Sequence, residues 1–275
     1  MKHKSICLLS LFPILLSGCN GVAPYSDTFK YGYGVFLGIT EKDLSFAKDY
    51  ETVVLDMQYY EQSDIQALKD NNQIVLSYLN IGSIEIFRPY YEAFKDITFG
   101  KYENWDGEFW IDVSKPAWQY FVVDVLAKDM IDKGADGFYV DNADVYYEYR
   151  KDEIFDGLTN ILTRLQSLNT YVMINGGDTY VDEYLNRYSN LNIMDAVNQE
   201  TVFTAINFKT NKTSRSKKED REYFQEYVET VNAQNKDVYL LEYTKRKAII
   251  KDIDAYCKEK GFKYYASKTI ELLKP

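Results

Sequence analysis

One histidine, three cysteines and five prolines are spread through 275 residues, and these shortages exclude several kinds of chemistry. The histidine is His3, in a segment read below as a leader. The rest of the chain therefore has no imidazole for a nucleophile's base, a metal ligand or a proton shuttle. Of the cysteines, Cys7 and Cys19 lie in the same N-terminal stretch, so no disulfide framework is possible. Cys257, on an amphipathic pattern, reads as a small buried residue, because a catalytic thiolate needs a base that the chain does not supply. Basic residues are also short, 32 against 42 acidic, which argues against a nucleic-acid partner. No glycine-rich phosphate loop follows the first strand-like run: Gly32 and Gly34 precede or start it, and Gly38 stands alone. With no His/Cys cluster and no calcium-loop spacing, neither metal nor cofactor is expected. Asp and Glu are left to carry the chemistry.

The N-terminus has Lys2 and Lys4, an apolar run from Ile6 to Leu16, and then Leu16-Ser17-Gly18-Cys19. This resembles a bacterial lipoprotein signal, in which the cysteine becomes the lipidated first residue. The run is too short and wrongly flanked for a spanning helix. An ordinary secretory signal is the alternative. The expected organisation is a signal peptide over 1–18, a lipidated Cys19 with a tether over 19–30, and a single domain over 31–275. The protein would then sit at the cell surface or in the periplasm, held to the membrane only by its lipid. Removing the leader takes away two lysines and no acid, which leaves 30 basic against 42 acidic residues, a formal charge of −12. Such a surface steers cationic ligands inward, although it also suits a merely soluble exterior.

From residue 31 onward, strand-like runs alternate with amphipathic segments. The runs are Tyr33 to Gly38, Thr52 to Asp56, Ile74 to Leu79, Gly137 to Asp141, Tyr171 to Asn175, Ala196 to Gln199, Val238 to Glu242 and Lys263 to Ser267. Helical periodicity covers Ser63 to Asn71, Pro116 to Lys133, Arg150 to Leu168, Arg221 to Ala233 and Lys245 to Lys260, with Pro116 placed as a first-turn proline. Near-continuous apolar strands argue for a parallel sheet buried on both faces. Eight units predict a single α/β (β/α)8 TIM barrel whose last helix is short or missing, with an open doubly wound sheet as the alternative. About 250 residues fit one such domain.

In a barrel the active face lies at the carboxyl ends of the strands. That rule selects Asp56, Tyr78, Asp141, Asn175, Glu200, Glu242 and Tyr243. Asp141 closes its apolar run, whereas Asp144 suits a helix cap equally well. Glu200 could be a solvated loop residue. Asp112 reads either as a positioning residue or as a buried partner for Arg88. The stretches Ile81 to Gly107 and Thr201 to Lys218 exceed ordinary βα loop lengths and should border the cleft. The latter stretch carries Lys209, Lys212, Arg215, Lys217 and Lys218 and is expected to face away from a cationic ligand. Tyrosine is frequent, 26 residues. Of Tyr59, Tyr60, Tyr90, Tyr91, Trp105, Trp110, Tyr146 and Tyr147, two or three are expected to stack on substrate and the rest to pack.

Four segments carry a more specific resemblance: Ser77-Tyr78-Leu79-Asn80-Ile81-Gly82 with Glu85 and Arg88; Trp110-Ile111-Asp112-Val113; Gly134 to Asp144, ending Asp141-Asn142-Ala143-Asp144; and Val197-Asn198-Gln199-Glu200. Over roughly Tyr31 to Ser267 the chain resembles glycoside hydrolase family 114, the endo-α-1,4-polygalactosaminidase-like and spherulin-4-like barrels. It departs from the pattern at Ser83, where many relatives carry an acid, and at Gln199, where paired acids are common. The resemblance implies a hydrolase of galactosamine-containing polysaccharide, with Asp141 and Glu200 as the catalytic pair; a monomer is expected. Asp56, Tyr78, Arg88, Asp112, Asn142, Asp144, Asn175, Glu242 and Tyr243 would then bind the cationic amino-sugar chain. Glycoside hydrolysis needs one carboxylic acid held protonated and one ionised carboxylate across the ring, which agrees. A carbohydrate-binding lipoprotein without turnover, and a glycosidase of another α-linked polymer, remain as alternatives.

Overall fold

The computed structural model describes residues 29–70 and 74–273. The leader, Cys19 and most of the tether lie outside them, as do Asn71 and the last two residues.

Eight parallel strands form one sheet in sequential order: β1 (Tyr31–Phe36), β2 (Tyr50–Leu55), β3 (Ile74–Asn80), β4 (Gly137–Asp141), β5 (Tyr171–Asn175), β6 (Ala196–Glu200), β7 (Asp237–Tyr243) and β8 (Lys263–Ser267). All eight coincide with the expected runs to within a few residues. Their burial on both faces explains the legibility: Val53, Val54 and Leu55 on β2, and Phe138, Tyr139 and Val140 on β4, are all buried. The connections carry α1 (Leu44–Ala47), α2 (Gln62–Lys69), α3 over residues 116–132, α4 (Asp152–Ser167), α5 (Asp178–Tyr188), α6 (Lys218–Ala233) and α7 (Lys247–Lys260). Pro116 opens α3, where its missing N–H costs nothing. The middle of α3, Phe121–Ala127, widens to π-helical geometry. Among the described residues no helix follows β8, in keeping with the expected short or missing last helix.

The periodicity of the sequence predicts no helix at α5. Its buried face is Tyr180, Val181 and Tyr184, so tyrosine rather than aliphatic residues carries the period. Phe155 of α4 packs against Tyr180 at 5.3 Å, and the Arg187 guanidinium lies 4.0 Å from the centre of the Phe155 ring.

β1 and β8 are the two ends of the hydrogen-bonded order and meet through side chains. Phe36 of β1 stands edge-on to Tyr265 of β8 at 5.2 Å, to Phe46 at 5.0 Å and to Tyr50 at 4.9 Å. This aromatic cluster covers the seam that has no eighth helix. Phe36 is fully buried, so Phe36→Ala is expected to cost about 3–5 kcal/mol of unfolding free energy. Urea denaturation checks this. A loss below about 1 kcal/mol would show that the seam is held by something else.

Inside the barrel, side chains stack in layers because residues two apart on a strand share a face. Tyr33, Tyr139, Asn198 and Tyr239 fill one layer. Above it, toward the carboxyl ends, come Tyr78, Asp141, Asn175, Glu200 and Tyr243. Tyr33 and Tyr239 pack at 4.7 Å. The tyrosine hydroxyls of these layers need partners, which Asn198 supplies to Tyr33 and Tyr139, and Asp141 and Glu200 to Tyr78 and Tyr243.

Candidate active site

β4, β5, β6 and β7 each end on a candidate residue: Asp141, Asn175, Glu200 and Tyr243. The Asn175 amide nitrogen donates to Asp141 Oδ1 and to Glu200 Oε1, each at 2.8 Å. Those two oxygens therefore lie no more than twice that distance apart. Tyr78 donates to the other oxygen of Asp141 at 3.0 Å, and Tyr243 to the other oxygen of Glu200 at 2.6 Å. Each carboxylate thus rests on one amide hydrogen and one phenol.

The orientation of Asn175 is set from below. Asn198 donates through Nδ2 to Asn175 Oδ1 at 2.7 Å and to the Tyr139 hydroxyl at 2.9 Å, while the Tyr33 hydroxyl donates to Asn198 Oδ1 at 3.0 Å. With its oxygen occupied, Asn175 must turn its NH2 toward the two carboxylates. Asn198 was missed as a site residue although it lies two positions before Glu200 on the same strand face, which was the available signal.

Burial raises the pKa of both Asp141 and Glu200. The opposing forces differ. Asp141 has the Asn175 amide, the Tyr78 hydroxyl and the Asn142 backbone N–H stabilising its anion. Glu200 has Tyr243 and Asn175, and the Asp141 charge pushes it further up. A neighbouring carboxylate adds to burial at both, Glu85 at Asp141 and Asp141 at Glu200.

The pair opens into a cleft of about 600 Å³, within the range that ligand sites occupy. Two excursions wall it. The one after β3 is a small sheet of Ser83–Glu85, Thr98–Lys101 and Glu108–Ile111; the one after β6 is a hairpin of Thr204–Asn207 and Lys212–Arg215. They meet over the cleft at Trp105 and Phe208, edge to face at 5.8 Å. Both stretches are thus cleft walls, as their lengths suggested. Basic residues of the hairpin excursion are engaged away from the cleft: Arg215 pairs with Asp252 at 2.8 Å and Lys218 with Glu222 at 3.4 Å.

Gly82, just past β3, has no room for a side chain. A Cβ there would come 1.7 Å from the Asn142 carbonyl oxygen. Asn142 itself has a φ of 64°, a left-handed value that asparagine tolerates. Its amide nitrogen reaches Asn80 Oδ1 at 3.2 Å, Ser83 Oγ at 2.7 Å and Glu108 Oε1 at 3.0 Å. Asn142 thus ties the end of β4 to the first excursion rather than presenting its amide to the cleft.

Arg88 is almost fully buried, with Nη1 2.8 Å from Asp56 and Nη2 3.0 Å from Glu85. Its guanidinium also lies 5.7 Å from the Tyr59 ring centre and 5.0 Å from that of Phe87. Asp56 and Arg88 line the cleft, as does Asp144, whose carboxylate lies against Gly176 and is held by the Gly177 backbone N–H. Asp144 makes no side-chain cap to the turn Val145–Glu148 that follows it.

Two expected binding residues lie elsewhere. Glu242 is 0% exposed and accepts from Phe203 N at 2.8 Å and Thr204 Oγ1 at 2.5 Å. It points away from the cleft because Tyr243, one residue on, points into it. Asp112 is not a partner of Arg88. It caps its own turn through Ser114 and pairs with Lys115 at 3.0 Å, outside the cleft lining. Of the aromatics expected near substrate, Tyr59 and Trp105 line the cleft. Tyr60, Trp110 and Tyr146 are core, Tyr90 packs on Phe121, Tyr91 faces Phe109, and Tyr147 is exposed outside the cleft. Phe87, Tyr102, Glu108 and Phe208 line the cleft and were not anticipated; all four come from the excursions, where no strand-end rule applies.

Three carboxyls, the buried Glu108 and Glu242 and the half-buried Asp144, are each pushed up to about 7, first of all by desolvation. Unfolded, such groups titrate near about 4. Between these values the folded chain holds more protons than the unfolded one, so stability falls as pH rises through that window. The Tm is expected to rise on acidification from about pH 7.5 to about pH 5.5. Thermal melts at constant ionic strength check this, and a Tm that drops steadily over that range would contradict it.

The architecture has counterparts among solved structures. The glycoside hydrolase domain of PelA from Pseudomonas aeruginosa superimposes with a TM-score of 0.74 at 16% identity, covering 88% of this chain and 95% of that domain. Ega3 from Aspergillus fumigatus, solved in complex with galactosamine, gives a TM-score of 0.69 at 18% identity over 93% of this chain and 98% of its own. The α-galactosidase TtGalA from Thermus thermophilus gives 0.58 at 11% identity, covering 89% of this chain and 59% of that one. No curated protein matches the sequence. The model of glycoside hydrolase family GH114 matches residues 17–272. The chain belongs to glycoside hydrolase family GH114 and is a glycosidase.

Proposed function

We propose that the protein cleaves α-1,4-linked, galactosamine-containing exopolysaccharide, using Asp141 as nucleophile and Glu200 as acid and then base. The observation that carries the pair is the single Asn175 amide held between the two carboxylates. The pair spacing it enforces suits a retaining hydrolase, for which roughly 5–5.5 Å is usual, better than an inverting one, which needs about 6.5–9.5 Å to seat a water. Asp141 attacks the anomeric carbon while Glu200 gives its proton to the departing glycosidic oxygen. Glu200, now ionised, then takes a proton from water, and the resulting hydroxide displaces Asp141 from the sugar. Tyr78 and Asn175 bond to Asp141 throughout, and Tyr243 to Glu200.

Charge supports the substrate class. Eight carboxylates line the cleft against one guanidinium, Arg88, which is occupied by two of them. Such a rim suits an amino-sugar polymer that carries ammonium groups. The galactosamine held by Ega3 points the same way. Exposed rings on the cleft wall, Tyr59 at 60% and Phe87 at 63%, offer faces for sugar stacking.

The enzyme sits at the cell surface or in the periplasm, anchored by lipid on Cys19. Lys2, Lys4, the apolar run and Leu16-Ser17-Gly18-Cys19 support this. Cys19→Ser is expected to abolish labelling by radioactive palmitate and to leave the protein out of the membrane pellet. Labelling of the variant equal to wild type would reject the anchor.

The chemistry is tested by reducing-end release from partially deacetylated α-1,4-linked galactosamine polymer by the chain from Asn20 onward. Asp141→Asn and Glu200→Gln are each expected to lose at least about a thousandfold in rate. Proton NMR of the first-formed product should show the α anomer. A first-formed β anomer would mean inversion, and an active Asp141→Asn would remove the proposed nucleophile.

A further inference from the structure

Glu108 opens the third strand of the first excursion and pairs directly with Glu85 across the antiparallel ladder. Two carboxylates in opposed positions repel each other. Arg88 relieves Glu85, to which it donates from Nε at 3.2 Å and Nη2 at 3.0 Å. No cation reaches Glu108 among the described residues.

One oxygen of Glu108 is well supplied: Oε1 accepts from Ser83 Oγ, from Asn80 Nδ2 at 3.2 Å and from Asn142 Nδ2 at 3.0 Å. No protein donor among the described residues bonds to Oε2. The residue is 7% exposed and lines the cleft together with Asp141. The groups around it are Glu85 on the adjacent strand, Asp141 on β4, and the Tyr78 and Tyr102 phenols. It is thus a buried carboxylate, held in place by neutral donors on one oxygen and with Glu85 and Asp141 as like-charged neighbours.

We propose that Glu108 is a specificity-determining residue whose Oε2 receives the ammonium group of a deacetylated sugar, so that the enzyme prefers free-amine over N-acetylated units. The inference rests on the amino-sugar reading above and names the residue that carries the preference. A neutral hydroxyl on Oε2 would supply a hydrogen bond but leave the charge uncompensated beside Asp141 and Glu85. An ammonium supplies both. An N-acetyl group at that position carries no charge and adds bulk against a carboxylate fixed by three donors.

Wild type, Glu108→Gln and Glu108→Asp are compared on fully deacetylated and fully N-acetylated α-1,4-linked galactosamine oligomers near neutral pH. The preference, the ratio of kcat/KM values for the two oligomers, is expected to fall about tenfold or more in Glu108→Gln, the scale of one charge-assisted hydrogen bond. The fall should lie mostly in KM for the deacetylated oligomer. Glu108→Asp should retain part of the preference, and it carries the comparison if the Gln variant does not fold. An unchanged ratio, or equal losses on both oligomers, overturns the role of Glu108 while the hydrolase reading stands. A wild type that cleaves neither oligomer overturns that reading and this inference together.

Discussion

Two half-buried carboxylates stand side by side at the mouth of this barrel, and a single amide bridges them. A lone carboxylate out of water is costly, and two of them that close cannot both stay ionised without donors. Asn175 has two hydrogens and gives one to each. Its own carbonyl must then be satisfied, which falls to Asn198, and Asn198 is fixed in turn by Tyr33 and Tyr139. The layer beneath Asp141 and Glu200 therefore cannot be aliphatic. A Leu or Val at 198 would free Asn175 to rotate and present its oxygen to a carboxylate. The tyrosines around the site follow from this chain of donors, since Asn198 serves the Tyr33 and Tyr139 hydroxyls while Asp141 and Glu200 accept from Tyr78 and Tyr243.

The excursions are fastened by the same means. Glu242 sits behind the end of β7 and accepts from Phe203 and Thr204, so the hairpin after β6 springs from a fixed base. Gly82 lets the chain leave β3 against the Asn142 carbonyl, and the Asn142 amide returns to Ser83 and Glu108. The walls of the cleft are thereby tied to the barrel strands that carry Asp141 and Glu200. Movement of either wall would disturb hydrogen bonds one residue away from Asp141 or three away from Glu200.

The strands could be read from the sequence because parallel strands buried on both faces are continuous apolar runs, and the rim could be read because those runs stop at polar residues. Asp141, Asn175, Glu200 and Tyr243 were found in this way. The same rule overreached at Glu242, since a strand end supplies two candidates of opposite facing and only parity along the strand separates them. Asp112, drawn from a family motif rather than from a strand end, belongs to an excursion turn, where adjacency to a motif says little about direction. Glu108 and Phe208 could not be found, because the excursions fold back by side-chain contacts that have no period. The helix α5 was invisible for another reason: its apolar face is built of tyrosines, which count poorly toward an aliphatic stripe. Ser83, a departure from the family pattern, turns out to donate to Glu108, so a carboxylate stands beside this position although the chain supplies it from a different strand.

The cleft's charge balance links folding to function. One arginine is consumed internally by Asp56 and Glu85, and the remaining acids of the lining face one another across a confined space. Repulsion there is strong because burial limits its screening. The fold tolerates it by holding protons where no cation among the described residues pairs the acid, which is why Glu108 and Asp144 stand near 7. A polymer carrying ammonium groups would let those groups ionise, so binding would exchange protons for substrate charge. The stability lost in assembling such a rim would then return as affinity for a cationic chain, and hydrophobic or neutral ligands would gain nothing from it.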